Sequence, residues 1–307
     1  MERFFWTQKQ DIGPSPRYSH SMCYDSDKEK VLLFGGRTLG SVANPAGNLG
    51  DTWLWDGQFW TQVSDIGPSP RDQFNMVYDS FRKQSVLFGG VSGGTVTDML
   101  NDTWEWDGNL WTKVADTGPP ARRGHAMAYD PIRKRVVLFG GINFSTQSLN
   151  DTWEWDGNLW TKVADTGPSK RFAHVMTYDE SAQTVLLYSG VTVGFLGDTW
   201  EWDGNEWTHL QDLGPGNLRV SAMAYTVHGL ILFGGEKRDD EVNDDTWLWD
   251  GQFWTHVQDI GPSARLGHAM AYDSRRDRIV LFGGREVIAG IPARGDTWEL
   301  KIETISE

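Results

Sequence analysis

The chain has a single cysteine, Cys23, among 307 residues. No intramolecular disulfide and no multi-cysteine metal site can be built from one thiol. Such usage fits a reducing compartment, and a cytoplasmic location is the expectation. No apolar run approaches the roughly 18 residues that a membrane-spanning helix needs, so no membrane partner is expected. The opening MERFFWTQKQ lacks the apolar stretch of a secretion signal. Runs of Lys and Arg are missing too, and the net charge is −14. An acidic chain without a basic stripe does not grip phosphate backbones through its general field, so nucleic acid is not an expected partner. Helical periodicity is absent throughout.

What is present in excess is repetition. NDTWEWDGNLWTKVADTGP occupies 101–119 and recurs, letter for letter, at 150–168. The triplet Asp-Thr-Trp begins at Asp51, Asp102, Asp151, Asp198, Asp245 and Asp296. Trp-Thr begins at Trp6, Trp60, Trp111, Trp160, Trp207 and Trp254. An apolar run ends in Gly-Gly at Gly36, Gly90, Gly141, Gly235 and Gly284, with Ser189-Gly190 in the remaining copy, and the period is 47 to 54 residues. Self-similarity at this period signals a repeat architecture.

Each unit reads as four short strands. The first alternates with period 2, as in His125–Tyr129. The second is an apolar run closed by the glycine pair. The third and fourth flank Asp-Gly, a strong hairpin signal because glycine accepts positive φ. Six such units predict an all-β fold closed radially, since an open stack leaves bare edges.

The succession of apolar run, Gly-Gly, variable loop, aromatic strand and spaced Trp resembles the kelch repeat. The resemblance covers nearly the whole chain. It implies a six-bladed β-propeller of four-stranded antiparallel blades, with the first strand of each blade lining a central channel. The blades would span 14–63, 68–114, 119–163, 168–210, 215–257 and 262–303, the last completed by residues 3–8. The termini point the same way. RFFWTQKQDIGPSPR at 3–17 matches GQFWTQVSDIGPSPR at 57–71, whereas the C-terminal GDTWELKIETISE has a third strand and no fourth. Residues 3–8 are therefore expected beside Thr297–Lys301, a structural duty that also argues against removal of the N-terminus as a leader.

A residue present in every blade serves the blade, because few ligands have six-fold symmetry. Trp104 and Trp106 share a strand face and, with Trp111, offer apolar area for blade-to-blade packing. An aromatic sugar platform is the functional alternative. The glycine pairs read as bends or close approaches where a Cβ would clash. They lack the spacing of a phosphate loop.

The recurring Pro-x-x-Arg-x-x-His has two readings. Arg17, Arg71, Arg122, Arg171 and Arg265, with Arg219 one place beyond Leu218, either pair with carboxylates or carbonyls between blades, with the His capping a turn, or form a basic ring at the channel mouth. Kelch propellers that bind acidic peptides use arginines on this face, so the resemblance favours an anionic ligand there. Phe74 and Ser221 break the His series.

The second-to-third-strand loops vary in length and sequence at 37–50, 91–101, 142–150, 191–197, 236–244 and 285–295. Variable loops on a constant frame are where binding resides. Arg37, Phe144, Phe195, Arg285 and Arg294 are the loop residues best equipped for contact.

No set of catalytic motifs is present. Glu236, Asp240 and Asp244 resemble in spacing the metal triad of kelch nitrile-specifier proteins, with Asp in the His place. Oxygen ligands would suit Ca²⁺ or Mg²⁺, and a solvated acidic loop is the simpler reading. No other cofactor is called for. The leading expectation is a monomeric binding module for an acidic peptide, protein segment or sugar acid. The alternatives are an isomerase or lyase at the channel mouth, epimerase-like or metal-dependent, and an engineered or orphan scaffold without a ligand.

Overall fold

In the computed structural model, which describes residues 2–9, 12–39, 47–93, 96–258, 260–286 and 292–304, the missing strand is where the repeat arithmetic places it. Glu2–Gln8 runs antiparallel to Thr297–Thr304 and completes the sheet that begins with Ala269–Asp273 and Arg278–Phe282. The other five sheets are four-stranded antiparallel meanders in chain order. Blade 3, for example, is Ala126–Asp130, Arg135–Phe139, Thr152–Trp155 and Trp160–Ala164. The molecule is an all-β six-bladed propeller. Its only helical turns among the described residues are short, at Val96–Asp98 and Arg238–Asp240.

The local chemistry explains the hairpins. At the turn between third and fourth strands the Asp107 carboxylate accepts from the Asn109 and Leu110 amides, both at 2.8 Å, and Gly108 takes φ +99°. The glycine pair marks a close approach between blades. A Cβ on Gly140 would lie 2.7 Å from the Arg171 carbonyl of the next blade. Ser189, the one exception, holds φ +68°, and the residue opposite it is Ser221 instead of a histidine.

Tryptophan joins the blades. Trp106 and Trp111 of blade 2 pack in one cluster with Leu32 and Phe34 of blade 1. Each fourth-strand Trp donates its indole N–H to the buried Thr of the preceding blade: Trp60 to Thr297, Trp111 to Thr52, Trp160 to Thr103, Trp207 to Thr152, Trp254 to Thr199 and Trp6 to Thr246, at 2.9–3.1 Å. The series closes on itself through the N-terminal strand. The duplicated segment is scaffold.

The meander fixes two faces. The variable loops and the links between blades lie on one, called here the loop face. The first-to-second and third-to-fourth turns lie on the other, the turn face. Segments 40–46, 94–95 and 287–291 of the variable loops lie outside the described residues. No helix among the described residues is long and apolar enough to cross a membrane.

Candidate functional site at the channel mouth

The first strands of all six blades surround a channel of about 680 Å³. At the loop-face end it is narrowed by a closed ring of backbone hydrogen bonds. Ser19 N–H donates to the Gly267 carbonyl, Gln73 to Ser19, Gly124 to Gln73, Ala173 to Gly124, Val220 to Ala173 and Gly267 to Val220, at 2.7–3.1 Å. All six residues sit at φ between +54° and +66°. That conformation is strained for Ser, Gln and Ala, and most of all for β-branched Val220. The ring holds the residues just before it, Tyr18, Asp72, Arg123, Phe172, Arg219 and Leu266, around the mouth. Each bridges to the residue after a glycine pair: Arg37, Val91, Ile142, Val191, Glu236 and Arg285.

Of the two readings of the repeated arginines, the structure agrees with pairing to carboxylates and carbonyls, made within blades instead of between them, and places no ring of these arginines at the mouth. Arg17, Arg71, Arg122, Arg171 and Arg265 are each 0% exposed. Their guanidiniums grip Asp51, Asp102, Asp151, Asp198 and Asp296 with two bonds apiece, at 2.7–2.9 Å. Each also donates to the carbonyl of Gly35, Gly89, Gly140, Ser189 or Gly283. The same carboxylates accept the indole N–H of Trp53, Trp104, Trp153, Trp200 and Trp298 at 2.7 Å. Burial alone would raise these carboxyls, but the arginine and indole bonds outweigh it and hold all five below the usual carboxylate range. These arginines therefore pair within their blades, buried and with every guanidinium nitrogen donating there.

The histidines do not cap turns. His20, His125, His174 and His268 lie edge-on against Phe282, Phe88, Phe139 and Phe233 of the preceding blade, with ring centroids 5.4–5.7 Å apart. Burial, reinforced by the adjacent Arg122 and Arg265 charges, pushes His125 and His268 down to about 3. They are neutral walls of the channel.

A different and asymmetric set of cations occupies the mouth. Arg123, Arg219 and Arg285 line the channel, with Glu236 beside them. Arg219 pairs with buried Glu236 and lies 5.1 Å over the Phe195 ring. Arg285 lies 4.9 Å over Tyr18. Arg123 donates to Gln73 Oε1 at 2.8 Å. The Nε atoms of Arg219, Arg285 and Arg294 are buried and have no hydrogen-bond partner among the described residues. Arg294 pairs with Glu286. Arg37 joins a short ribbon with Asn48. Phe144 stands apart, 64% exposed. Arg37, Arg219, Arg285 and Phe195 were singled out from sequence. Arg123 was not, because it neighbours the repeated Arg122 and is hidden by it.

Asp72 lies in the same rim, 1% exposed, with Oδ1 unpartnered among the described residues. Burial raises its carboxyl to about 6, although Arg37 and Arg123 pull the other way. A carboxyl favoured in its neutral form by the fold weakens the protein once ionised, so stability falls as pH rises from about 4 through about 6. Asp72→Asn is expected to be more stable than the parent at pH 7.5 by roughly 2–3 kcal/mol, the worth of about two pKa units. The gap should shrink to a few tenths near pH 4. Urea unfolding at both values measures it, and an equal penalty at both would refute the assignment.

The described side chains of the acidic loop do not converge on one point. Glu236 is buried on Arg219, while Asp240 and Asp244 are exposed. The described residues contain no group of three His, Cys, Asp or Glu side chains placed to hold a metal ion. The neighbouring charges are spent on one another, as in Lys237 with Glu241 and Asp245. Burial pushes the Cys23 thiol to about 12, so it is not a ready nucleophile.

Comparison with known proteins adds fold and little else. No known family model matches the chain. A stretch of 100 residues, 31% of this chain, is 33% identical to dynein regulatory complex subunit 7 of Chlamydomonas reinhardtii. A stretch of 144 residues, 42% of the chain, is 28% identical to Mei4-dependent protein 6 of Schizosaccharomyces pombe. The matched parts are 8% and 20% of those proteins' lengths. Among solved structures, that titled "Structure of YjhT" superposes with a TM-score of 0.72 over 95% of this chain and 99% of the other, at 14% identity. At that identity the likeness speaks for the fold alone.

Proposed function

We propose that the protein is a binding module of the kelch type whose ligand presents a carboxylate or similar anion to the loop-face mouth. The ligand class is an acidic peptide, an acidic protein segment or a sugar acid. The observation that carries this reading is the pair of buried Nε donors on Arg219 and Arg285, without partners among the described residues, at the rim of a concave channel. An unsatisfied buried donor is costly, and an anion would satisfy both while matching the forked geometry of guanidinium. The coherent break in symmetry supports it as well. Leu218 replaces the scaffold arginine, and the next residue, Arg219, faces the mouth beside Glu236. Six-fold features serve the frame, whereas this sector differs from the other five.

The test is a thermal-shift series at low ionic strength with a glutamate-rich peptide, glucuronate and glucose. A ligand near 100-fold saturation stabilises by roughly 2.7 kcal/mol. Stabilisation is expected with one of the acids and not with glucose. Arg285→Ala and Arg219→Gln should each weaken binding about tenfold, near 1.4 kcal/mol, and added salt should weaken it further. An acid shift that survives both substitutions would move the site elsewhere and overturn the reading.

A further inference from the structure

The opposite end of the same channel is built differently. The fourth residue of each first strand is a tyrosine: Tyr24, Tyr78, Tyr129, Tyr178, Tyr225 and Tyr272. All six line the channel, and the meander sets them together at the turn-face opening. Ser80, Pro131, Glu180 and Ser274 complete that rim. The charged side chains lining the channel are therefore divided by end. Arg123, Arg219, Arg285 and Glu236 stand at the loop face, and Glu180 stands alone at the turn face. Between them the wall is uncharged, with Met22, Met76, Met127, Met176, Met223 and Met270 and the neutral histidines.

Glu180 is exposed and has no ion-pair partner among the described residues. Its charge reaches three members of the collar, Tyr178, Tyr225 and Tyr272. Tyr178 is 8% exposed, and its hydroxyl has no hydrogen-bond partner among the described residues. Elsewhere in the collar the phenols lie against carboxylates of a neighbouring blade or of their own turn. Tyr24 lies by Asp273 and Tyr129 by Asp79, and Tyr272 donates to Asp277 at 2.8 Å. Burial first, and these carboxylates second, raise Tyr24 and Tyr129 to about 12, so both stay protonated at physiological pH. A phenol that donates to a carboxylate is richer in electron density at its oxygen and ring, and so is a better partner for a cation.

We propose that this tyrosine collar, with Glu180 at its rim, is a second binding site that takes an ammonium group, either on a free alkylamine or on a lysine side chain. Three features converge on that chemistry. Aromatic rings attract ammonium ions through their quadrupoles, and methylated ammonium most readily because it sheds water easily. The unpaired carboxylate supplies the counter-charge. Among the described residues no Lys or Arg lines this end of the channel, and Arg133, whose charge reaches Tyr178, is committed to Asp130 and Glu154. The collar has six-fold symmetry and the carboxylate does not, so the cation would sit off-axis, towards blades 4 to 6. The site is independent of the anion site at the other mouth.

The experiment uses the full chain labelled with fluorotyrosine. Its eight tyrosines give resolvable fluorine NMR signals, assigned by single Tyr→Phe changes. Choline is titrated against dimethylbutanol, its uncharged isostere, and separately against a short peptide carrying one trimethyllysine. Choline or the peptide is expected to shift Tyr178, Tyr225 and Tyr272 while Tyr18 and Tyr188 stay still. Whichever of the two binds more tightly identifies the source of the ammonium. Glu180→Gln, an exposed change that should leave the melting temperature alone, is expected to weaken binding about tenfold. Three outcomes overturn the proposal: an equal response to the uncharged isostere, undiminished binding in Glu180→Gln, or no shift with either cation at tens of millimolar.

Discussion

Removal of residues 1–9 is expected to lower the melting temperature by about 10 °C and to leave a chain prone to association. The N-terminal strand closes blade 6 and also clamps it to blade 5. Phe4 is 7% exposed and shares a cluster with Leu300 and Ile302 of its own blade and with Ile231 and Phe233 of blade 5. Trp6 packs against Phe233 with centroids 5.2 Å apart and the rings tilted by 57°, and donates to Thr246. Losing a buried Phe costs about 3–5 kcal/mol, and an orphaned Thr hydroxyl with its lost bond adds about 1 more. A chain of this length loses roughly 1.6 °C per kcal/mol, from about 2.1 cal/mol/K of unfolding entropy per residue. The truncation also bares the whole edge of Thr297–Thr304, a template for pairing with other chains. Phe4→Ala isolates the packing share and should cost roughly half as much. Differential scanning calorimetry decides the matter. A truncated protein that melts within 2 °C or so of the parent would mean that the propeller is held shut without its closing strand.

Much of this architecture was legible because the repeat is redundant. Six copies of Asp-Thr-Trp count the blades, and the match of 3–17 to 57–71 identifies the strand that closes them. The glycine pairs, the Asp-Gly turns and the packing role of the tryptophans follow from backbone sterics and side-chain size, which are local. The function of the repeated arginines was not legible in the same way. Their partners lie 27 to 34 residues away, across loops of changing length, so spacing gives no hint of the pairing. Yet one signal was available. A residue repeated in five blades obeys the same rule as the tryptophans, and that rule assigns Arg17 and its counterparts to the scaffold. The same rule hid the tyrosines, which repeat in all six blades and ring the channel. The backbone ring at the mouth could not be read at all. Ser19, Gln73, Gly124, Ala173, Val220 and Gly267 share no side-chain property. Their common left-handed conformation comes from the closure of six blades around an axis and from no single blade.

Arg122→Ala is expected to cost about 3–5 kcal/mol, a fall of roughly 5–8 °C, because it strands a carboxylate that the fold has placed for a cation. Arg122 gives Asp151 two bonds at 2.7 Å and gives the carbonyls of Gly140 and Pro120 one each. Asp151 keeps the indole of Trp153 and its own backbone N–H, and loses its cation. Since the arginine holds Asp151 below its ordinary carboxylate range, the pair's stabilisation is fully present above about pH 4 and is lost as pH falls through the depressed folded value. The gap between parent and variant should therefore narrow in acid, where a protonated Asp151 no longer needs a partner. Arg122→Leu/Asp151→Asn should recover part of the loss, as removing both members of a buried pair is milder than removing one. Blade 5 shows such a compromise already in place. Leu218 stands in the arginine position, and Asp245 turns to Lys237 and His256, leaving the Trp247 indole without a partner among the described residues. Urea unfolding at pH 7 and pH 4, with the double variant as the third leg of the cycle, measures the coupling. A loss below about 1 kcal/mol at pH 7 would mean that the clusters are solvated pairs of the surface kind. Anion binding supplies the complementary measurement. It should be unchanged in Arg122→Ala wherever the variant is folded, because this guanidinium is 0% exposed and each of its nitrogens already donates within its own blade.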